Sequence, residues 1–176
     1  AAYWAKQANP SKAAYHYDSG ELWDQALEQY ERAADQSRER YANQEAIRLY
    51  GEALKAAEES RDKAAQSRLY HKLGEIYFLL GDYGEAEQSY KRELGYLLIR
   101  SPDALAEAEV RCALGRVYDR WGKHNQALRE LGQGLELTES SPNLTRARLL
   151  SARCSVLLRT GQLEEAENDG QRACQI

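Results

Sequence analysis

The sequence predicts an all-α fold, a solenoid of antiparallel helix pairs, on three observations. Segments of the 176-residue chain resemble one another at a spacing of 39–41 residues, and self-similarity at a fixed period marks a repeat array. Apolar residues recur at three- and four-residue spacing, with no alternating run long enough for a strand. All three prolines fall where helices should start, and Gly81, Gly122 and Gly161 fall where helices should stop.

The repeat is plainest between the segment from Leu69, LYHKLGEIYFLLGDYGEAEQSYKREL, and the segment from Glu109, EVRCALGRVYDRWGKHNQALRELGQGL. Gly74 aligns with Gly115, Tyr77 with Tyr118, Gly81 with Gly122 and Ala86 with Ala127, each pair 41 residues apart. A further 39 residues reach Cys154, Leu157, Gly161 and Ala166. Stepping back 40 residues from the first of these units reaches Ala34, Ser37, Tyr41 and Ala46.

Taken in order, helices are predicted at 1–9 and 11–19, then at 21–41, 43–59, 61–80, 82–98, 102–121, 124–138, 142–160 and 163–175. Residues 1–20 read as a truncated helical unit. Residues 21–176 read as four helix pairs, 21–59, 61–98, 102–138 and 142–175. In 21–41 the stripe is Trp23, Ala26, Tyr30 and Ala33, and alternation of helix direction makes it a first helix. In 61–80 the stripe is Leu69, Leu73, Ile76, Tyr77 and Leu80; its partner carries Tyr83, Ala86, Tyr90 and Leu94. Gly81, Gly122 and Gly161 are expected to end first helices, where a left-handed residue suits glycine best. Asn9-Pro10, Ser101-Pro102 and Ser141-Pro142 stand at predicted starts. There the serine would cap free N–H groups and the proline would sit in the first turn.

Composition excludes several classes. The chain carries 24 basic and 28 acidic residues, a net charge of -4, with a pI near 5.5. A nonspecific nucleic-acid binder needs a basic surface, so no nucleic acid is expected as partner. The longest apolar run, Ile76 to Leu80, is far short of the roughly 20 residues of a membrane span. No membrane partner is expected either. Three cysteines are too scattered for a disulfide framework or a zinc site and suit a reducing, cytoplasmic compartment. The sequence begins without methionine and shows no signal peptide; it is expected to be a fragment of a larger signalling or regulatory protein.

No catalytic constellation is visible. His16, His71 and His124 fall in different units, and no H-E-x-x-H, Gly-x-Ser-x-Gly or phosphate-binding glycine loop occurs. Catalytic residues, metal ligands and cofactors are therefore predicted to be none, and the chain is read as not an enzyme. Cys154 takes a small-residue packing column, whereas Cys112 points to the inner surface.

The aligned residues resemble the tetratricopeptide repeat. The best unit reads Leu73-Gly74 and Tyr77, then Gly81-Asp82-Tyr83, Ala86, Tyr90 and Leu94. The resemblance covers roughly residues 21–175. Ser37 departs from it at an aromatic position and Glu93 at a small one. The period of 39–41 residues resembles the long-unit subclass found in scaffold proteins and in bacterial regulators linked to ATPases and cyclases. The resemblance implies a right-handed superhelix whose first helices line a concave binding face. Some members clamp a peptide's C-terminal carboxylate with Lys and Asn; the matching positions here hold Glu31, Asp35, His71 and Glu75, so a chaperone-tail receptor is not implied.

Helical spacing from the packed columns places Arg68, His71, Lys72, Glu75 and Phe78 on that face in one unit. It places Glu109, Cys112, Arg116, Asp119 and Arg120 in the next, then Arg148, Ser151, Ser155, Leu158 and Arg159. Six of these are basic (Arg68, Lys72, Arg116, Arg120, Arg148 and Arg159). Three are acidic (Glu75, Glu109 and Asp119). An earlier stretch, Glu28 to Glu39, leans acidic. The predicted function is a non-enzymatic scaffold that binds a protein or peptide, acidic by preference, in this groove. The competing reading of the groove is one filled by its own ion pairs. Two other functions compete with a scaffold: an effector- or peptide-sensing segment of a bacterial regulator, and an RNA-binding helical repeat. End-to-end self-association of the truncated array is also expected, because each unit normally covers its neighbour's apolar face.

Overall fold

A computed structural model describes residues 22–100, 103–139 and 143–176. Among these residues there are eight α-helices and no strand: α1 Trp23–Glu39, α2 Asn43–Glu59, α3 Lys63–Leu80, α4 Tyr83–Arg100, α5 Ala104–Arg120, α6 His124–Leu137, α7 Leu144–Arg159 and α8 Leu163–Cys174. The fold is an all-α solenoid of helix pairs. The helices expected at 1–9 and 11–19, with the truncated unit 1–20, lie outside the described residues.

Five of the eight helices end in the same way. After α1, α2, α3, α5 and α7 one residue adopts a left-handed conformation, and the next N–H bonds back to a carbonyl five residues earlier. The bonds are Ala42 to Ser37, Asp62 to Ala57, Asp82 to Tyr77, Lys123 to Tyr118 and Gln162 to Leu157, all 2.8–3.0 Å. This satisfies a carbonyl that the helix end would leave orphaned. Glycine holds the left-handed position at Gly81, Gly122 and Gly161, as expected, whereas Tyr41 and Arg61 hold it at φ 59° and 58°.

Helix starts differ from expectation. Helices α5 and α7 begin after Asp103 and Asn143, one residue beyond each proline. The Asp103 carboxylate accepts from the N–H groups of Leu105 and Ala106 at 3.1 Å, and Asn143 Oδ1 accepts from the Arg146 N–H at 2.9 Å. Asp and Asn are among the preferred N-cap residues, each satisfying N–H groups that the helix start leaves free. Ser101, Pro102, Ser141 and Pro142 themselves lie outside the described residues.

The chain divides between Ile76 and Tyr77 into two compact units. In the first, α1 packs on α2. Small side chains allow the close approach: Ala26, Ala33, Ala34, Ala46 and Ala53 are all at most 3% exposed. Leu49, Tyr50 and Leu69 fill the remaining core, each worth roughly 1.5–3 kcal/mol when fully buried. Gln66, buried on α3, donates to the Ala57 carbonyl at 2.8 Å and so fastens α3 to the end of α2.

In the second unit α5 contacts α4, α6 and α7, and α7 contacts α6 and α8. Leu114, Val117, Tyr118, Leu131, Leu149, Leu150 and Val156 form its core. Two glycines set the helix spacings. A Cβ on Gly115 would lie 2.5 Å from Leu131 Cγ, and one on Gly134 would lie 2.7 Å from Leu149 Cδ2. The last pair is tied by Arg153, which forks onto Asp169 with bonds of 2.6 and 2.7 Å. Beyond it, Leu158 and Leu163 flank a shallow apolar cleft floored by Cys154, Ala166 and Gly170.

Candidate functional site

The predicted face separates into two chemically different parts. In the first unit the predicted cations are paired. Arg68 donates to both oxygens of Glu31 at 2.9 and 2.8 Å. Lys72 bridges Glu31 at 2.9 Å and Asp35 at 2.7 Å. Arg38 meets Glu75 at 2.8 Å, and His71 Nε2 lies 3.7 Å from the same carboxylate. The Tyr50 hydroxyl donates to Asp35.

These contacts leave a clear electrostatic signature. The hydrogen bond from Arg68, with Lys72 in support, brings the Glu31 carboxyl down to about 2 against the opposing effect of burial. Glu75 falls to about 2 through its bond with His71 and the charge of Arg38. Burial pushes the Tyr50 hydroxyl up, and Asp35 adds to the rise. The positive excess counted along the sequence is thus corrected here: Arg68 and Lys72 are neutralised where they stand by acids of α1.

The second unit presents an open groove of about 670 Å³. Phe78 comes from the end of α3, Cys112, Arg116, Asp119 and Arg120 from α5, and Arg148, Ser151, Ser155 and Arg159 from α7. Nine of the eleven residues predicted for this face in the second unit therefore lie around one cavity; Glu109 and Leu158 do not line it. Gly115, Ala147 and Ala152 make a floor of small residues. Leu144, Ala173 and Cys174 also line the groove and were missed by sequence reasoning. Leu144 could have been found by extending the stripe Arg148, Ser151, Ser155 back one turn. Ala173 and Cys174 belong to α8, and no spacing within α5 or α7 points to them.

Charge in this groove is unbalanced. Arg159 pairs with Asp119, whose other oxygen lies 3.5 Å from His124 Nδ1. Glu109 accepts a hydrogen bond from Thr145 at 3.1 Å. Arg116 stacks with its guanidinium carbon 5.2 Å from the Phe78 ring centre, which orients the side chain without neutralising it. Arg116, Arg120 and Arg148 are exposed and have no carboxylate partner among the described residues. Cys112 lies 8% exposed at the floor. Burial pushes its thiol up although Arg116 and Arg148 pull it the other way, which keeps it protonated and unreactive. Among the described residues no cluster of three or more His, Cys, Asp or Glu could hold a metal ion. No helix among them is long and apolar enough to cross a membrane.

Residues 42–97 match one tetratricopeptide repeat family model, and residues 108–141 match a second. The chain belongs to the tetratricopeptide repeat family. No curated protein matches it in sequence. Among solved structures it is similar to BtubC from P. vanneervenii, with a TM-score of 0.78 at 18% identity, over 98% of this chain and 74% of that one. It is also similar to MamA from Desulfovibrio magneticus RS-1, with a TM-score of 0.66 at 12% identity, over 98% and 88% of the two chains. At such identities the likeness is one of fold. As a tetratricopeptide repeat chain this protein is a protein-interaction scaffold. Its repeat residues account for the packing already described, with Gly115, Ala127 and Ala166 buried at the small positions. Glu93, at another small position, is buried at 7% exposure.

Proposed function

We propose that the second unit binds an acidic peptide, or an acidic segment of a partner protein, in the groove between α5 and α7. The observation that supports this most is the trio Arg116, Arg120 and Arg148, three unpaired guanidinium groups around one cavity. Arginine holds carboxylates in a two-bond fork, so it supplies orientation as well as charge. The small-residue floor leaves room for a ligand's side chains. Among the described residues of the first unit the predicted groove cations Arg68 and Lys72 already hold Glu31 and Asp35. No catalytic step is assigned to the groove; its work is holding.

The test is a peptide-array screen at two salt concentrations with the native chain and the Arg116→Glu/Arg120→Glu variant. Acidic peptides should bind in preference to basic ones, and higher salt should weaken them. The double variant should lose that preference at an unchanged melting temperature. Equal binding of acidic and basic peptides would refute the proposal. A sensing role within a larger regulator would use the same groove and is distinguished only by what the module is attached to.

A further inference from the structure

We infer that the groove is built for a phosphorylated residue: a phosphoserine or phosphothreonine of the acidic segment is its anchor. This rests on the acidic-peptide reading and narrows it to one chemical group. The argument begins with the count of charges. Among the described residues that line the cavity, the cations are Arg116, Arg120, Arg148 and Arg159, and the one acid is Asp119. Asp119 pairs with Arg159 through one carboxylate oxygen, so these two charges offset each other. Three full positive charges remain, and they come from two helices, α5 (Arg116 and Arg120) and α7 (Arg148).

A single carboxylate carries one negative charge and two oxygens. It can take a guanidinium fork and a further donor, as Glu31 does with Arg68 and Lys72, but it balances only one of the three positive charges. A phosphate monoester carries about -1.5 to -2 charges near pH 7 and three acceptor oxygens. Three oxygens disposed around one phosphorus can take donors from Arg116 and Arg120 on one side and Arg148 on the other. Arginine clusters are a recurring means of holding phosphorylated segments. Arg116 of α5 and Arg148 of α7 line the cavity together with Cys112, and both charges act on its thiol, against Glu109.

The neighbouring hydroxyls agree with this. Ser155 donates to the Ser151 carbonyl at 3.1 Å and is committed. The exposed Ser151 hydroxyl lines the same wall, where it can donate to a third oxygen. Arg116 is held in place by Phe78. Less side-chain freedom is then lost on binding.

The experiment compares three degenerate peptide libraries that share an acidic background and differ at one central position, phosphoserine, glutamate or serine. Binding is read by fluorescence anisotropy on the full chain and on Arg148→Gln. The phosphoserine library should bind at least tenfold more tightly than the glutamate library. In Arg148→Gln, at an unchanged melting temperature, the advantage should fall below threefold. The advantage should also shrink on going from pH 7.5 to pH 5.5, as the phosphate passes through its second pKa near 6, while glutamate binding holds. Equal affinity for phosphoserine and glutamate would overturn the phosphate anchor and leave the acidic-peptide reading standing. Failure of all three acidic libraries to bind more tightly than a basic-background library would overturn the two together. A single-stranded RNA oligonucleotide that outcompetes the phosphopeptide would assign the arginines to nucleic-acid phosphates and overturn the inference.

Discussion

Gly115 leaves no room for a side chain, because a Cβ there would meet Leu131 Cγ at 2.5 Å. Leu131 is fully buried and cannot swing away. Gly115→Ala should therefore lower stability by roughly 1–3 kcal/mol, the usual cost of overpacking. Gly132→Ala, on the same helix pair but with nothing within 4 Å, should be neutral or raise stability slightly. Urea denaturation of both variants reads the difference, and equal midpoints would contradict the packing described. A second residue-scale effect has the opposite sign. Arg61 holds the left-handed position that glycine holds in three equivalent turns. A side chain in that conformation costs roughly 1–2 kcal/mol, part of which glycine's greater freedom in the unfolded chain takes back. Arg61→Gly should raise the unfolding midpoint by the equivalent of about 0.5–1 kcal/mol.

At the scale of elements, helices are held by charge as well as by apolar burial. In the first unit, Glu31 of α1 receives Arg68 and Lys72 of α3. Its carboxyl is lowered in the folded state to about 2, below its unfolded value. A depressed acid contributes stability above the unfolded pKa and loses it as pH falls through the folded one. The native chain should lose thermal stability between about pH 5 and pH 2, and Glu31→Gln should be less stable at pH 7 yet show a shallower loss over that window. Melting temperatures at pH 7, 5 and 3 check this; parallel curves would show that the α1–α3 contact adds nothing. In the last pair, Asp169 is 1% exposed and depends on Arg153. Arg153→Ala leaves a buried charge unpaired and should cost about 3–5 kcal/mol. Hydrogen exchange should then rise first along α8, and removing Asp169 as well should recover part of the loss.

Across the whole molecule the net charge of -4 runs against the sign of the groove. Screening settles which matters. At physiological salt the Debye length is about 8 Å, so an anion in the groove meets the nearby arginines and little of the distant acids. Raising salt should weaken acidic peptides several-fold, and Arg116→Glu/Arg120→Glu should remove that salt dependence with the binding itself. A salt-independent affinity would mean that apolar contacts with Phe78 and the small-residue floor carry the interaction instead.

Much of this protein is local and hence legible in its sequence. The helix stripes, the glycines at 81, 122 and 161 and the small residues at 74, 115 and 127 follow from the helical period and from backbone sterics, which act between near neighbours. The same reasoning named nine groove residues from Phe78 to Arg159, because a stripe on one helix face shares one environment. It missed Tyr41 and Arg61 as turn residues, since nothing in their type announces a left-handed backbone; packing of the joined helices imposes it. It also could not tell occupied cations from free ones. Arg68 and Lys72 find Glu31 at separations of 37 and 41 residues, as Arg159 finds Asp119 at 40, whereas Arg116, Arg120 and Arg148 find no acid among the described residues. Which side chain faces which across a full repeat depends on how the helices stack and which rotamers reach. Only the tertiary structure decided that the open positive charge belongs to the groove between α5 and α7.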